Sequence, residues 1–284
     1  MKPAKFGRLV FDNFREQGLL HLLSHAHRDH TYGLKDKWTR APILCTEITA
    51  KIIRTWFPRI PEVLFILKNP WTSVELEDVG IQIADANHCP GAVMFSCISR
   101  KTPRKVVYTG DFRLNSKIRE NIDMFRNADL MYLDSTFNRP LFRFPSQTEA
   151  ISEVIELIEE NVDRAIYLGV YSIGKNKIIK AVSEHFKTRV YTPPDLYKVY
   201  TAIGMQEFIT TKKNTAWIHA YPRHFIQKTL PNLDGVKISA TGWACRFRSR
   251  PDKDMYYVPY SEHNDYNSLQ TFIRLTRPKK IVPI

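Results

Sequence analysis

Leu19-Leu20-His21-Leu22-Leu23-Ser24-His25-Ala26-His27-Arg28-Asp29-His30 is the stretch on which the fold turns. Its apolar first half reads as a buried strand running into a histidine cluster. His25 and His27 are two apart in the extended chain that follows, so the two-residue period of a strand points both imidazoles the same way. Asp29 and His30 come where the chain is expected to turn into a helix. One short loop can then serve two adjacent metal ions, the first pair of side chains facing one and the second pair the other. Imidazole with carboxylate suits zinc, and also manganese or iron. Any one of these residues alone reads as part of a polar surface loop, but three His and one Asp within six residues do not.

Two metal positions need more ligands than one loop holds. Residues 79–84, 105–111 and 129–134 read as further strands, each leading to or ending in a polar residue, as an α/β or β-sandwich enzyme requires. His88 follows the first of these in Asn87-His88-Cys89-Pro90-Gly91. Asp111 ends the second after Thr109-Gly110, and its two oxygens can bridge two cations. His263 follows Pro259-Tyr260-Ser261-Glu262. Taken singly, a strand-end Asp is more often a cap and a lone His a satisfied polar residue. Their weight comes from the first cluster.

The chain has 284 residues, 43% hydrophobic, enough for one large domain or two smaller ones. Lys and Arg number 42 against 29 Asp and Glu, a net charge of +13 that favours a polyanionic partner. No apolar run is long enough for a membrane span, and the first residues lack a signal-peptide core, so a soluble intracellular protein is expected. Cys45, Cys89, Cys97 and Cys245 form no Cys-x-x-Cys pair and read as free thiols.

A change comes after Pro145. Ser146-Gln147-Thr148-Glu149 is a capping box, and the helix it opens carries Ile151, Val154, Ile155 and Ile158 on one face. A strand at 164–171, a helix at 176–186 and a strand at 188–191 make a βαβ unit with a parallel sheet. Strands recur at 215–219, 236–241 and 255–260, then a helix at 267–275 and a strand at 280–284. The expected organisation is a first domain over 1–145, an α/β insert over 146–235 and a return to the first domain over 236–284.

In order along the chain stand Ser24-His25-Ala26-His27-Arg28-Asp29-His30, Asn87-His88-Cys89-Pro90-Gly91-Ala92-Val93, Tyr108-Thr109-Gly110-Asp111-Phe112-Arg113, Leu133-Asp134-Ser135-Thr136-Phe137, Thr241-Gly242-Trp243 and Pro259-Tyr260-Ser261-Glu262-His263. This set resembles the DNA cross-link repair nucleases, the β-CASP branch of the metallo-β-lactamase fold. The resemblance implies an αββα sandwich with an inserted β-CASP α/β domain. It also implies that His25, His27, His88 and Asp111 hold a first metal, and that Asp29, His30, bridging Asp111 and His263 hold a second. One or two zinc ions are expected, with magnesium or manganese an alternative at the second position. Asp12 would orient the site, and if only one metal is bound tightly Asp29 would instead assist in deprotonating water. Asp134 and His219 would form a carboxylate–imidazole pair that delivers a proton to the leaving group. For His219 the alternative is packing at a strand end beside Trp217.

DNA is the partner this implies. Between Lys212 and Arg250 stand Lys212, Lys213, Arg223, Lys228, Lys237, Arg246, Arg248 and Arg250 against the single acid Asp234, interleaved with Trp217, Tyr221, Phe225, Trp243 and Phe247. The pattern suits a single-stranded end held by phosphate contacts and stacking; a solvated basic face over core aromatics is the bland alternative. Thr241, Gly242 and Trp243 lie within it as candidate substrate contacts. Tyr171-Ser172-Ile173-Gly174-Lys175-Asn176-Lys177 joins a strand to a helix and offers N–H groups, a hydroxyl and an ammonium to an anion. Ser172 and Lys175, with Ser135 and Thr136, are the expected pocket for a 5′-phosphate. The resulting expectation is a monomeric nuclear 5′→3′ DNA exonuclease of interstrand cross-link repair. The alternatives are a hairpin-opening endonuclease and a non-catalytic DNA-end binder.

Overall fold

The computed structural model describes residues 4–229, 234–246 and 254–284. Its contacts divide the chain into two compact units, Met1–Asn138 with Glu262–Ile284, and Arg139–Ser261.

The first unit opens on an antiparallel pair, β1 (Lys5–Phe6) and β2 (Leu9–Phe11). Next come β3 (Leu20–Leu22), β4 (Ile43–Cys45), the helix α1 (Glu47–Trp56) and β5 (Phe65–Leu67). The sheet order is β1-β2-β3-β4-β5, parallel from β2 onward. β3 has a parallel neighbour on each side, and all its residues, His21 included, are buried. Thr46 caps α1 by accepting from the Thr49 N–H, and Glu47 sits in the positive first turn.

The second sheet begins with β6 (Thr72–Glu75), β7 (Val79–Asp85) and β8 (Val93–Ser99), an antiparallel meander continued by β9 (Lys105–Tyr108). After the short helix α2 (Ser116–Glu120), β10 (Leu130–Leu133) pairs parallel to β9. The two sheets share one core. Phe11, Leu20, Leu22 and Leu44 of the first meet Ile83, Phe95, Val106 and Tyr108 of the second.

The second unit is an α/β domain: α3 (Gln147–Glu159), β11 (Ile166–Val170), α4 (Asn176–His185), β12 (Val190–Tyr191), α5 (Pro194–Ala202), β13 (Ile209–Thr210), β14 (Ile218–Pro222), α6 (Arg223–Thr229), β15 (Val236–Ala240) and β16 (Met255–Val258). The six strands run parallel in the order β13-β12-β14-β11-β15-β16. The Ser146–Glu149 capping box is formed. Val154, Ile179, Val182 and Tyr200 from α3, α4 and α5 bury one sheet face with Ile166, Leu168 and Ile238, whereas Ile226 of α6 packs on the other with Tyr167, Tyr221 and Met255.

The unit is wider than the expected 146–235 insert. β15 lies in register beside β11, Ile166 opposite Val236, and β16 pairs with β15, so residues 236–261 complete the inserted sheet instead of returning to the first domain. The chain then re-enters the first unit as α7 (Tyr266–Thr276) and β17 (Ile281–Pro283), which pairs with β10 and closes the order β17-β10-β9-β8-β7-β6. Phe272 of α7 packs on Phe112 at 4.7 Å and Phe125 at 5.7 Å between ring centroids, placing a helix outside this sheet. No helix of the described residues is long and apolar enough to cross a membrane.

Candidate metal centre

The candidate ligands of the first unit follow the carboxyl ends of its strands: Ser24 to His30 after β3, His88 after β7, Asp111 after β9 and Asp134 after β10. Strand β3 is prolonged by the Leu23 N–H donating to the Leu44 carbonyl at 2.9 Å, so His25 and His27 leave the sheet in extended chain. Their rings converge as the two-residue period requires, His25 Nε2 lying 2.9 Å from His27 Nδ1. Beyond His27 the chain makes successive turns, with the His30 and Thr31 N–H groups both donating to the His27 carbonyl; the expected helix does not form. Gly33, at φ +87°, closes this run.

Asp111 is the hub. Its Oδ1 is 3.4 Å from His30 Nε2, and its Oδ2 is 3.6 Å from His25 Nε2, 3.5 Å from His88 Nε2 and 3.9 Å from His263 Nε2. The Gly110 turn that presents it has φ +49°, and a Cβ there would stand 2.6 Å from the Ser24 hydroxyl oxygen. His27 reaches the same space, 3.1 Å from His88 Nε2. Three overlapping donor groups result: His25, His27, His88 and Cys89; Asp12, His25 and His30; and His88, Asp111 and His263. Asp29 stands at the rim with its side chain 80% exposed, 3.7 Å from His30 Nε2.

The far nitrogen of each hub imidazole is tied. His30 Nδ1 donates to Asp12 Oδ2 at 2.6 Å, His263 Nδ1 to Asp134 Oδ2 at 2.8 Å and His88 Nδ1 to the Glu262 carbonyl at 2.9 Å. His25 Nδ1 lies 2.9 Å from the Ser24 hydroxyl, which itself donates to Asp12. With the proton on Nδ1, each Nε2 presents its lone pair to the hub, the arrangement by which proteins orient metal-binding imidazoles. This donor set fits a divalent cation, and its richness in imidazole fits zinc better than magnesium.

The electrostatics agree. Burial favours neutral imidazole and drives His25 and His88 well below their ordinary pKa, with neighbouring imidazoles adding to the effect. Burial also opposes charge on His30, yet Asp111 and Asp12 outweigh it and hold its pKa well above the usual value. His263 is likewise raised to about 9, its burial overcome by Asp134 and Asp111. Burial alone would raise Asp111, but the surrounding imidazoles pull it well below the carboxylate range. Without metal, protons on His30 and His263 supply the positive charge that the carboxylates require.

Asp12 is 8% exposed and receives four donors: the Ser24 N–H, the Ser24 hydroxyl, His30 Nδ1 and the Tyr108 hydroxyl at 2.9 Å. The imidazole that Asp134 holds is His263. His219, expected in that role, lies in the second unit with its ring 5.4 Å from those of Tyr167 and Tyr191 and 6.3 Å from that of Tyr221. As residue 219 of β14 it shares a sheet face with these tyrosines, and its Nδ1 is buried without a partner. Within its own unit His219 packs among these tyrosines. Cys89, Tyr108, Ser24 and the Glu262 carbonyl were not anticipated. Ser24, Cys89 and Glu262 each carried a signal, a place beside His25, His88 or His263; burial, then Glu262 and Asp111, push the Cys89 thiol up and keep it protonated.

The substrate candidates divide between the units. In the first, the Ser135 hydroxyl donates to the Ile284 carbonyl at 3.0 Å, and Thr136 donates through N–H and hydroxyl to Asp134 Oδ1. In the second, Ser172 is half-buried and Lys175 is 3% exposed, with its ammonium 4.4 Å above the Tyr260 ring. Lys175 has φ +59° at the N-terminus of α4, and the Tyr200 hydroxyl donates to the Gly174 carbonyl. Thr241 and Gly242 are buried, and Trp243 meets Phe142 edge-on with Arg246 above its ring. Of the basic stretch, Lys237 is buried in β15, while the Lys228 side chain, Phe247, Arg248 and Arg250 lie outside the described residues.

Two packed sheets flanked by helices, with an imidazole–carboxylate centre beyond the strand ends and an inserted parallel α/β unit, define a metallo-β-lactamase fold. Residues 20–168 match the family model described as beta-lactamase superfamily domain, and the chain belongs to that family. Residues 176–284 match the model described as DNA repair metallo-beta-lactamase. Among curated proteins the chain is similar to "5' exonuclease Apollo" of Mus musculus, 31% identical over 277 residues, covering 93% of this chain and 50% of that protein. It is also similar to "DNA cross-link repair 1A protein" of Homo sapiens, 28% identical over 290 residues and covering 93% and 28%. The chain thus spans half or less of the length of these two relatives. A solved structure, a protein of unknown function from Enterococcus faecalis V583, shares the fold with a TM-score of 0.64 at 17% identity, covering 93% of this chain and 75% of that one.

Proposed function

We propose that this chain is the catalytic part of a nuclear, metal-dependent 5′→3′ DNA exonuclease that acts on 5′-phosphorylated ends in interstrand cross-link repair. The observation that carries the reading is the Asp111 hub, with four imidazole Nε2 atoms aimed at one carboxylate and each ring held from behind. The similarity to "5' exonuclease Apollo" supports the choice of DNA and of a 5′ end.

His25, His27, His88 and Asp111 would hold one zinc ion; His30, Asp29, His263 and the second oxygen of Asp111 would hold another, or magnesium or manganese. Such ions supply Lewis-acid polarisation of the phosphoryl oxygens and activation of water. The chain's own residues supply orientation and proton handling. Asp12 and Asp134 keep the His30 and His263 rings aimed at the hub, and where only one metal is bound the exposed Asp29 carboxylate would instead accept a proton from water at the rim. Ser172, Lys175 and the N-terminal N–H groups of α4 would grip the terminal phosphate, which fixes polarity without reading bases. Thr241, Gly242 and Trp243, at the carboxyl end of β15, would contact the strand.

The test uses single strands labelled at the 3′ end, with a 5′-phosphate or a 5′-hydroxyl, and zinc, manganese or magnesium in turn. Stepwise shortening from the phosphorylated end, abolished by chelator, is the expected outcome. Internal cuts at hairpins without shortening would assign the chain to endonucleases, and metal-independent binding without cleavage would make it an end-binding protein.

A further inference from the structure

A recess of about 580 Å³ opens on the first unit beside the ligand loop. Phe14 and Trp38 form its wall, and Arg15, Lys35, Lys37 and Arg40 stand exposed around it. No carboxylate lines it. The acids next in sequence are engaged elsewhere, Asp36 with Arg59 and Glu16 with Lys5. Arg15 rests over the Tyr32 ring at 4.1 Å and Arg40 over the Trp38 ring at 5.8 Å, and four like charges around a concave surface still raise a local positive potential that attracts an anionic ligand.

The recess is built into the fold. Gly33 at φ +87° lets its segment press against Arg15, where a Cβ would meet Arg15 Cγ at 2.5 Å and Arg15 N at 2.7 Å. The Phe14 N–H donates to the Tyr32 carbonyl at 2.8 Å, and Trp38 Nε1 donates to the Ala41 carbonyl at 2.8 Å. Beneath them lies His21, stacked on Phe14 and edge-on to Trp38, both at 5.0 Å. Burial first, and then Arg40, hold this imidazole neutral.

The two segments that form the recess also carry the metal centre. Asp12 stands two residues before Phe14, and His30 three residues before Gly33, a span of at most about 11 Å in fully extended chain. A strand whose diester reaches the centre can therefore continue across the recess. Phe14 and Trp38 are 1% and 3% exposed and offer no ring face for a base. The exposed groups are four cations and the Thr39 hydroxyl, so the contact is with phosphate and is blind to sequence.

We propose that this recess binds the sugar-phosphate backbone of the DNA strand engaged at the metal centre, a phosphate subsite in the first unit. The inference rests on the DNA-nuclease reading above. Its test is the combined variant Lys35→Ala, Lys37→Ala, Arg40→Ala, set against a control of equal charge loss from exposed ion pairs of the same unit, Lys51→Ala, Arg54→Ala, Lys101→Ala. Binding of labelled oligo-dT and oligo-dA of about 20 nucleotides is measured across a salt series, where each lost single-strand phosphate contact lowers the log–log slope by about 0.7. The recess variant is expected to lose about 2 in slope and at least about tenfold in affinity at 0.1 M salt, equally for both sequences, while the control loses neither. An unchanged slope, or one that falls as much in the control, overturns the proposal. So does inorganic tripolyphosphate binding wild type as tightly as the oligomer, which would mark a site for free polyphosphate. The rate on DNA should also fall at least about tenfold more than the rate on the small diester bis(4-nitrophenyl) phosphate. If wild type hydrolyses neither substrate, the enzymatic reading fails, while the binding slopes still judge the recess.

Discussion

His21 is where the packing beneath the ligand loop can be weighed. It sits in β3, 1% exposed between Phe14 and Trp38, with Nδ1 unpartnered. Burial, then the charges of Arg40 and Lys5 against the opposing Asn13 backbone, lower its pKa from 6.5 to about 4. The folded protein therefore refuses a proton that the unfolded chain accepts, and between pH 6.5 and pH 4 stability rises with pH. The penalty fades above the unfolded value; below about pH 4 it levels off at about 3 kcal/mol, at 1.36 kcal/mol per pH unit. At pH 5 it has reached about 2 kcal/mol, and at pH 7 it is about 0.2 kcal/mol. His21→Leu keeps the volume and removes the titrating group. The measurement is urea unfolding of the metal-free proteins in chelator at pH 7 and pH 5, with m-values required to agree. Between the two pH values, the variant should gain about 2 kcal/mol relative to wild type. A difference that stays constant to within about 0.5 kcal/mol would mean that His21 is hydrated or partnered in solution, and the reasoning from its burial would be refuted.

Asp111→Ala should remove both carboxylate oxygens of the hub, leaving a folded protein by circular dichroism with at least about a hundredfold loss of hydrolysis and reduced bound metal by elemental analysis; retained activity would dissolve the hub. Tyr108→Phe removes one of four donors to Asp12 and is expected to weaken metal binding about tenfold with the fold intact; an unchanged affinity by chelator competition would make the hydroxyl incidental. Asp134→Asn should lower metal affinity about tenfold or more, whereas His219→Phe, which preserves ring packing, should not; the reverse order would restore His219 as the functional partner. Lys175→Ala should slow cleavage of 5′-phosphorylated DNA about tenfold more than of 5′-hydroxyl DNA, since a charge-assisted bond to a terminal phosphate is lost; equal slowing would remove Lys175 from any end pocket.

What the sequence could disclose was whatever depends on near neighbours. The two-residue period of His25 and His27 needed only an extended backbone, and the Ser146 capping box only three residues. The ring partners were out of reach because Asp12 and His30 are 18 positions apart and Asp134 and His263 are 129 apart. His219 shows the same limit: its place in an ordered motif suggested chemistry, but its face of β14 is set by register with Tyr167 and Tyr191 on other strands. The insert boundary failed for a related reason. β15 and β16 read as strands of either sheet, and only the pairing of Val236 opposite Ile166 decides. Turns replace the expected helix after His27, and Gly33, at positive φ, ends them close against Arg15.

The hub also constrains how the molecule is put together. Asp111, His25, His27, His30 and His88 are all in place within the first 111 residues, yet what steadies them comes from the end of the chain. The Glu262 carbonyl accepts from His88 Nδ1, and His263 adds a ring to the hub. Asn264 donates to the Phe112 carbonyl through N–H and Nδ2, and its Oδ1 accepts from the Leu114 N–H at 2.8 Å. These three consecutive residues clamp the Asp111 loop and orient one ligand, and Phe272 of α7 backs them through Phe112. They follow the second unit in the chain, so the metal centre is completed only after that unit has been made. Contacts that close so long a loop cost entropy before they return any stability. A bound cation, by joining early residues to His263, would recover part of that cost, since metal-binding energy gained only in the folded state is also folding energy. On the proposed reading, the chemistry and the closure of the first unit would depend on the same carboxylate, the half-buried Asp111 with its imidazoles tied from behind.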